Sequence, residues 1–247
     1  MKKTHGFLLA AGLLLASAFT LSCSSDDPDD NSGGGIVNLS EYLQADRQVY
    51  LREGDGDDAT KRYDGSGSVV YMYIYSIGER FQVGTIRNGG ILKLDSLPNM
   101  SGYIESFYAF SGRCKDFDPA THKEYSSCNG IPSVSPSNLL FLEDVEFHVD
   151  IPDCYLNLRT VKSGKWSNGA DLIYASQPGS ITGTEKYTYR EDNGGGTRER
   201  KYEYSFKEGW NIVFQTSENR NNTRYYTHTS DIPAGTTLEW GLECYID

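Results

Sequence analysis

The chain has 247 residues, and its 34 acidic residues outnumber its 23 basic residues, so that the formal net charge is −11 at pH 7. A chain this acidic is repelled by nucleic acids and by anionic lipid surfaces, which excludes a nucleic-acid partner and any membrane contact made through basic residues. The length suffices for one large β domain or two small ones.

The first segment of the chain is predicted to be an export signal. Lys2 and Lys3 precede an apolar run at residues 7–21, and Cys23 follows it. About 15 apolar residues make roughly 22 Å of helix, which is short for a bilayer core of ~30 Å, and this pattern is typical of a signal peptide. Because a cysteine stands at the cleavage point, residues 1–22 resemble the signal of bacterial lipoproteins, in which this cysteine is acylated with fatty acids such as palmitate.

The segment after the signal is acidic and contains Gly and Ser. Such a composition cannot bury enough apolar surface to fold, so residues 23–35 are predicted to be the lipidated cysteine and a flexible tether. The sequence SSDDPDD at residues 24–30 resembles the signal that directs lipoproteins of Bacteroidetes to the cell surface. The resemblance implies a protein that is anchored in the outer membrane by acyl chains and faces the cell exterior.

From residue 36 onward the chain reads as a series of β-strands, with residues 40–52 as the one helix candidate. Glycine-rich turns at residues 88–90 and 194–196 predict hairpins. Strands are predicted at residues 69–75, 81–86, 91–94, 103–110, 145–149, 155–161, 171–175, 187–190, 201–206, 210–215, 225–229 and 237–245.

This spacing of strands and turns predicts an all-β fold, with an antiparallel β-sandwich over residues 36–247. The pattern is interrupted at residues 151–153, where the sequence is Ile-Pro-Asp. A subdivision near residue 150, into two packed sandwich halves, is therefore the alternative to a single β domain.

Four cysteines follow Cys23, namely Cys114, Cys128, Cys154 and Cys244. An even number in an exported chain favours disulfides, and three pairings are open. We predict Cys114–Cys128, because these residues are close in the sequence, and by elimination Cys154–Cys244. Buried free thiols are the alternative.

Sequence signatures of catalysis are absent: the chain has no GxSxG elbow, no HExxH and no P-loop. The sequence DGDD at residues 55–58 lacks the distal glutamate of a calcium loop, and DFDP at residues 116–119 contains Asp-Pro, a common turn starter. Isolated histidines, at His122, His148 and His228, read as surface residues. We therefore predict no catalytic residue, no metal site and no cofactor.

The tyrosine content suggests a ligand surface. The chain has 18 tyrosines, and flat aromatic faces in polar surroundings suit sugar rings. Tyr71, Tyr73 and Tyr75 share one face of a predicted strand, and Tyr225 and Tyr226 form a second candidate. The alternative is structural, because tyrosine also fills the margins of β-sheet cores.

A series of short motifs ends the chain, with YAS at residues 174–176, ITGT at 181–184, GWN at 209–211 and LEW at 238–240. The series resembles the C-terminal half of uncharacterised surface lipoproteins of Bacteroidales. That resemblance implies a β fold and a surface location, and it supplies no catalytic residues. The sequence DSL at residues 95–97 is similar to the short O-glycosylation pattern of exported Bacteroidetes proteins.

Together these features predict a surface-anchored binding protein without enzymatic activity, with a glycan as the first ligand. Its partners would be the membrane, through acyl chains on Cys23, and an extracellular glycan or a surface protein. One alternative is a structural or assembly subunit, fimbria-associated or accessory to an outer-membrane complex, whose sheet edge accepts a partner strand. A hydrolase of unrecognised type is the third hypothesis, and it would need a deep pocket with clustered acids and perturbed pKa values.

Overall fold

The computed structural model describes residues 39–52, 61–65, 67–163 and 165–244. The predicted export signal, Cys23, the tether and the DGDD sequence at residues 55–58 lie outside the described residues. Within the described part of the chain, no helix is both long and apolar enough to cross a membrane.

The described residues form one short α-helix, two 3-10 helices at Ser101–Ser106 and Glu191–Asn193, and a long series of strands. In chain order the helix and strands are α1 (Leu39–Gln44), β1 (Arg47–Arg52), β2 (Lys61–Arg62), β3 (Ser68–Ile74), β4 (Glu79–Arg87), β5 (Ile91–Leu94), β6 (Tyr108–Ala109), β7 (Tyr125–Asn129), β8 (Ser133–Ser135), β9 (Leu140–Leu142), β10 (Val145–Val149), β11 (Cys154–Lys162), β12 (Lys165–Ala175), β13 (Gly179–Tyr189), β14 (Thr197–Phe206), β15 (Gly209–Arg220), β16 (Thr223–Thr229) and β17 (Thr237–Cys244).

Seven strands close into a barrel. The order around it is β1, β5, β4, β3, β10, β11 and β17, and each pair within this order is antiparallel. The barrel closes because β1 also pairs with β17, in parallel, with Val49 opposite Trp240. Closure leaves these strands without a free edge over the paired residues.

The barrel interior is apolar because its strands alternate apolar and polar residues. In β3 the buried apolar positions are Val70, Met72 and Ile74, and the residues between them are half-buried. Trp240 and Leu156 lie at the same core and are also fully buried. Removing one such side chain from water contributes roughly 1.5–3 kcal/mol to stability, so this interior is the main source of the fold's stability.

The short strand β2 pairs with β1 of the barrel. Most other strands form a second sheet in the order β6, β9, β12, β15, β16, β14 and β13. Both β7 and β8 pair with the far side of β13. The two sheets are joined by β12, whose first half pairs with β11 and whose second half, from Ala170 onward, pairs with β15.

The two faces of the second sheet pack differently. Leu172, Ile212 and Phe214 belong to the same apolar cluster as the barrel interior. The opposite face carries Ile173 and Val213, which pack in a separate cluster with aromatic residues of β14. This opposite face is called the inner face of the second sheet below.

The structure confirms the predicted all-β class and corrects the predicted sandwich. A barrel forms because β1 and β17, from opposite ends of the described chain, pair directly. Position 150 lies in the connection between β10 and β11, which are neighbours in the barrel. The helix predicted at residues 40–52 ends at Gln44 and gives way to β1. The first half of the strand predicted at 103–110 belongs to the 3-10 helix Ser101–Ser106, and only Tyr108–Ala109 form a strand, β6.

Both predicted disulfides are present. Cys114–Cys128 joins a loop to β7, and Cys154–Cys244 joins directly opposite positions of β11 and β17. The second bond therefore fastens the closing strand of the barrel to its antiparallel neighbour.

Candidate functional site

The first candidate surface lies on the outside of the barrel. Tyr71, Tyr73 and Tyr75 follow the outward alternation of β3, and the neighbouring strands place His148 and Tyr155 beside them. The ring centroids of Tyr73 and Tyr75 are 4.6 Å apart, and those of His148 and Tyr155 are 4.9 Å apart. These five residues are called the aromatic strip. Four of them, Tyr75, Tyr73, His148 and Tyr155, form a continuous row, because the ring centroids of Tyr73 and His148 are also only 5.9 Å apart.

Polar groups border the aromatic strip. The Tyr75 hydroxyl donates a hydrogen bond to Oε2 of Glu146 at 2.7 Å, and Nε2 of His148 lies 3.2 Å from the same oxygen. The bond to Glu146 raises the pKa of Tyr75 to about 12, so its phenol stays protonated at neutral pH. Tyr75 is 52% exposed. On the other side, the Arg80 guanidinium stacks 4.3 Å from the Tyr71 ring and covers one face of it.

Tyr225 and Tyr226 lie on opposite faces of β16, because successive strand residues alternate. Tyr226 is buried on the inner face of the second sheet, whereas Tyr225 is half-buried on the other face. The two residues therefore do not form one surface, and Tyr226 belongs to a site that contains other residues.

The second candidate surface is this inner face, where arginines and tyrosines interleave. Arg200 lies 5.7 Å from the Tyr187 ring centroid and 5.5 Å from that of Tyr226. Arg198 lies 4.6 Å from the Tyr189 ring centroid. The surface is called the arginine groove and comprises Arg113, Tyr187, Tyr189, Arg198, Arg200, Arg224 and Tyr226.

A fully buried carboxylate lies beside the arginine groove. Glu185 accepts hydrogen bonds from the backbone N–H of Arg113 at 2.6 Å and from the Tyr202 hydroxyl at 2.7 Å. The loop that carries Arg113 approaches this closely because Gly112 has no side chain: a Cβ there would lie 2.8 Å from Cδ of Pro132 and 3.0 Å from Oε2 of Glu185. Both oxygens of Glu185 are thus occupied within the protein.

His228 lies between this carboxylate and the acidic end of the inner face. Its ring stacks on Tyr202 at a centroid distance of 4.8 Å, and its Nδ1 lies 3.2 Å from the Tyr204 hydroxyl. Burial, with a further contribution from the charge of Arg200, lowers the pKa of His228 to about 4. The sequence-based expectation of a surface histidine is therefore wrong at this position.

The far end of the inner face is acidic. Burial raises the pKa of Glu143 and also that of Asp171, and the two carboxyl groups repel each other. The Tyr108 hydroxyl forms a hydrogen bond with Glu143. Perturbed carboxyl groups are one requirement of the hydrolase hypothesis. Separately, among the described residues no group of three or more His, Cys, Asp and Glu has the arrangement of a metal site.

Two of the remaining sequence motifs have structural roles or positions. Asp118 accepts hydrogen bonds from the Ala120 N–H and the Thr121 hydroxyl, which is the turn that Asp-Pro predicted. Ser96 of the DSL motif is exposed at the rim of a 400 Å³ cavity that Trp210 also lines.

Sequence reasoning missed the arginine groove. The strand predicted at residues 201–206 has a period of two, which puts Tyr202 and Tyr204 on one face. The same period puts Arg200 and Arg198 on that face, so a signal for the groove is present in β14. The chain matches no protein-family model, and no curated protein or solved structure is detectably similar to it.

Proposed function

We propose that the protein is a non-catalytic binding module of the outer cell surface, anchored by acyl chains on Cys23, and that the aromatic strip binds a glycan chain. The observation that carries this proposal is the continuous row of Tyr73, Tyr75, His148 and Tyr155 across three outer strands of the barrel. Its rings offer apolar faces to the C–H faces of sugars, and Glu146 borders them with an acceptor for sugar hydroxyl groups.

The geometry of the strip favours a single flexible chain. The ring planes of Tyr73 and Tyr75 lie at 80° to each other, so they do not form the flat platform that the face of a packed polysaccharide would require. Consecutive sugars of one soluble chain can turn to meet rings at different angles. Because Arg80 covers one face of Tyr71, the main stacking positions are Tyr73 and Tyr75.

The tether fits a module that reaches away from the membrane. Fifteen residues separate Cys23 from Leu39, and such a segment spans at most about 50 Å when fully extended. The anchor thus permits the aromatic strip to meet polymers outside the lipid headgroups.

The test is glycan-array screening of the full chain in mild detergent, followed by calorimetry with each glycan that binds. Tyr73→Ala and Tyr75→Ala should each weaken binding about tenfold or more, since one stacking contact is lost in each case. Tyr225→Ala is the matched control. Tyr225 lies on the second sheet, on the face opposite the inner face, and the variant should bind like the wild type. Blank arrays with a folded protein, or equal binding by all variants, would refute the proposal.

Assembly through an added strand is the alternative function. Among the described strands, the barrel strands pair on both sides, and the outermost strands of the second sheet, β6, β7 and β8, have only two, five and three residues. Short edge strands offer few backbone groups to a partner strand. Cross-linking on intact cells tests this alternative, and a specific, stoichiometric protein adduct would favour it over glycan binding.

A further inference from the structure

We propose that the arginine groove is a second binding site, separate from the aromatic strip, and that it binds an oxyanion group (carboxylate, sulfate or phosphate) of a sugar-sized ligand. The first observation is charge. Arg113, Arg198, Arg200 and Arg224 converge on one sheet face, and among the described residues none of the four forms an ion pair with a carboxylate.

This concentration of positive charge is unusual in so acidic a chain. Several arginines elsewhere lie beside carboxylates: Arg52 and Arg159 both lie beside Glu243, and Arg220 lies 2.7 Å from Glu218. In the groove, Arg198 and Arg224 are directly opposite each other on parallel strands. Like charges at such positions destabilise a sheet, and a bound anion would remove that repulsion.

Glu185 offsets only part of this charge. It is the carboxylate in direct contact with the groove residues, and its two oxygens already accept hydrogen bonds from Arg113 and Tyr202. The perturbed carboxyls Glu143 and Asp171 act on Tyr204, at the other end of the inner face. The groove therefore keeps an excess of positive charge.

Unpartnered buried atoms give the second, independent observation. The Tyr187 hydroxyl, Nε of Arg200 and Nε2 of His228 are buried without a hydrogen-bond partner among the described residues. Tyr187 is fully buried and His228 is 8% exposed. An unpaired buried polar atom costs roughly 1–3 kcal/mol. Tyr187 and Arg200 belong to the groove, and the His228 ring centroid lies 6.4 Å from that of Tyr226 at its border, so a ligand in the groove would supply the missing partners.

The chemistry of these atoms selects an acceptor as the ligand. Arginine Nε can only donate, and the tyrosine hydroxyl can donate as well as accept. When the Tyr204 hydroxyl donates to Nδ1 of His228, the neutral ring carries its proton on Nε2, which then donates as well. A set of donors around guanidinium groups matches an oxyanion, which offers several acceptor lone pairs and a compensating charge.

One end of the arginine groove, at Arg198 and Arg224, borders a small pocket. A cavity of about 250 Å³ lies between the loop at Gly195 and Gly196 and the turn that joins β15 to β16. Arg198 and Arg224 line it, together with Asn219 and Asn222. Its volume is below the roughly 300–1,000 Å³ of pockets for drug-sized molecules, so it fits one sugar-sized unit.

Calorimetry on the full chain tests the proposal with four probes that share one sugar ring: glucose, glucuronate, glucose 6-phosphate and glucose 6-sulfate. We expect at least one anionic probe to bind at least tenfold more tightly than glucose and to lose affinity with added salt. The order among the three anions identifies carboxylate, phosphate or sulfate as the preferred group. Equal binding of all four probes, or no binding of any, would overturn the proposal.

Two variants locate the site. Arg224→Gln removes an exposed groove arginine and Arg200→Gln a half-buried one, and each should weaken the anionic probe at least fivefold. Arg220→Gln, an exposed arginine beyond the groove, is the matched control and should have no effect. Thermal unfolding verifies that each variant is folded, and Arg224→Gln keeps the test decisive if Arg200→Gln is unstable. Unchanged affinity in folded Arg224→Gln would overturn the assignment.

The two proposed sites can fail separately. Tyr75→Ala should leave binding of the anionic probe unchanged, and Arg224→Gln should leave binding of a neutral glycan unchanged. Loss of both activities in either variant would mean one shared site and would contradict the separate groove.

Discussion

The barrel and the second sheet use the same alternating strands but differ in what their inner faces enclose. Inside the barrel, Met72, Leu156 and Trp240 are buried in an apolar core. On the inner face of the second sheet, Glu185 is equally buried but lies among arginines, tyrosines and a histidine. One face is built to exclude water from hydrocarbon, and the other places hydrogen-bonding groups where water is scarce.

The difference shows how the molecule separates stability from recognition. The second sheet buries Leu172, Ile212 and Phe214 against the barrel cluster, and Ile173 and Val213 pack in a further apolar cluster at one part of the inner face. The groove residues are therefore not needed to hold the sheet in place. Polar and charged residues on the inner face lower the stability of the sheet, and burial of the apolar residues on its other face offsets that loss. The outer face of the barrel has the same freedom, and the aromatic strip lies on it.

The largest changes in stability are expected when one disulfide is removed from each region. Cys154→Ala with Cys244→Ala opens a cross-link between residues 90 apart, and Cys114→Ala with Cys128→Ala opens one between residues 14 apart. The chain-entropy relation predicts losses of about 4–5 and about 3 kcal/mol in the free energy of unfolding. Urea unfolding measures both.

The functional outcomes of the two disulfide variants should also differ. The Cys114–Cys128 bond holds the loop that carries Arg113, so its removal should weaken oxyanion binding, whereas the barrel variant should bind normally at temperatures where it is folded. Equal losses of stability in both variants would contradict the dependence on loop length from which the two losses are predicted.

The second test follows stability against pH and concerns His228, which lies on the inner face. The pKa of His228 is about 4 in the folded protein, whereas an ordinary, unburied histidine has a pKa of 6.5. The unfolded chain therefore takes up a proton that the folded chain refuses as pH falls from 6.5 to 4, and stability is lost in that window. The loss is roughly 2–3 kcal/mol, and it is fully restored above pH 6.5.

His228→Gln isolates this effect. The variant should lose less stability than the wild type between pH 6.5 and 4, when unfolding is followed by urea titration at each pH. Glu143 and Asp171, whose raised pKa values act in the opposite direction, are present in both proteins and cancel in the difference. Parallel pH profiles would show that His228 does not titrate as a buried neutral ring.

The sequence predicted the barrel side of this comparison better than the groove. Local alternation predicted a shared face for Tyr71 and Tyr73, and in the structure the alternating residues Val70 and Met72 of β3 are the buried ones. Closure of the barrel depends on the pairing of Val49 with Trp240, and local patterns carry no information about partners so distant in the chain. Hence the β class was predictable and the barrel was not.

The groove was hidden for a related reason. Residues Thr197 to Lys201 are polar on both strand faces, and such a segment is typical of a solvated strand end. Its arginines become a cluster only when β14 pairs in parallel with β16 and brings Arg224 opposite Arg198. His228 was missed because an isolated histidine has no local signal of burial.

The smallest expected effect on stability comes from a substitution in the groove, and it is compared with a matched substitution inside the barrel. Arg200→Met keeps most of the side-chain length and removes one of the converging charges, so the lost hydrogen bonding and the relieved repulsion oppose each other. We expect the free energy of unfolding to change by less than about 1 kcal/mol. Met72→Ala, its counterpart in the barrel, should cost roughly 2–5 kcal/mol because it leaves a cavity. If Arg200→Met lowered the free energy of unfolding as much as Met72→Ala, the arginine would be a structural residue. Its position in the groove would then no longer support ligand binding.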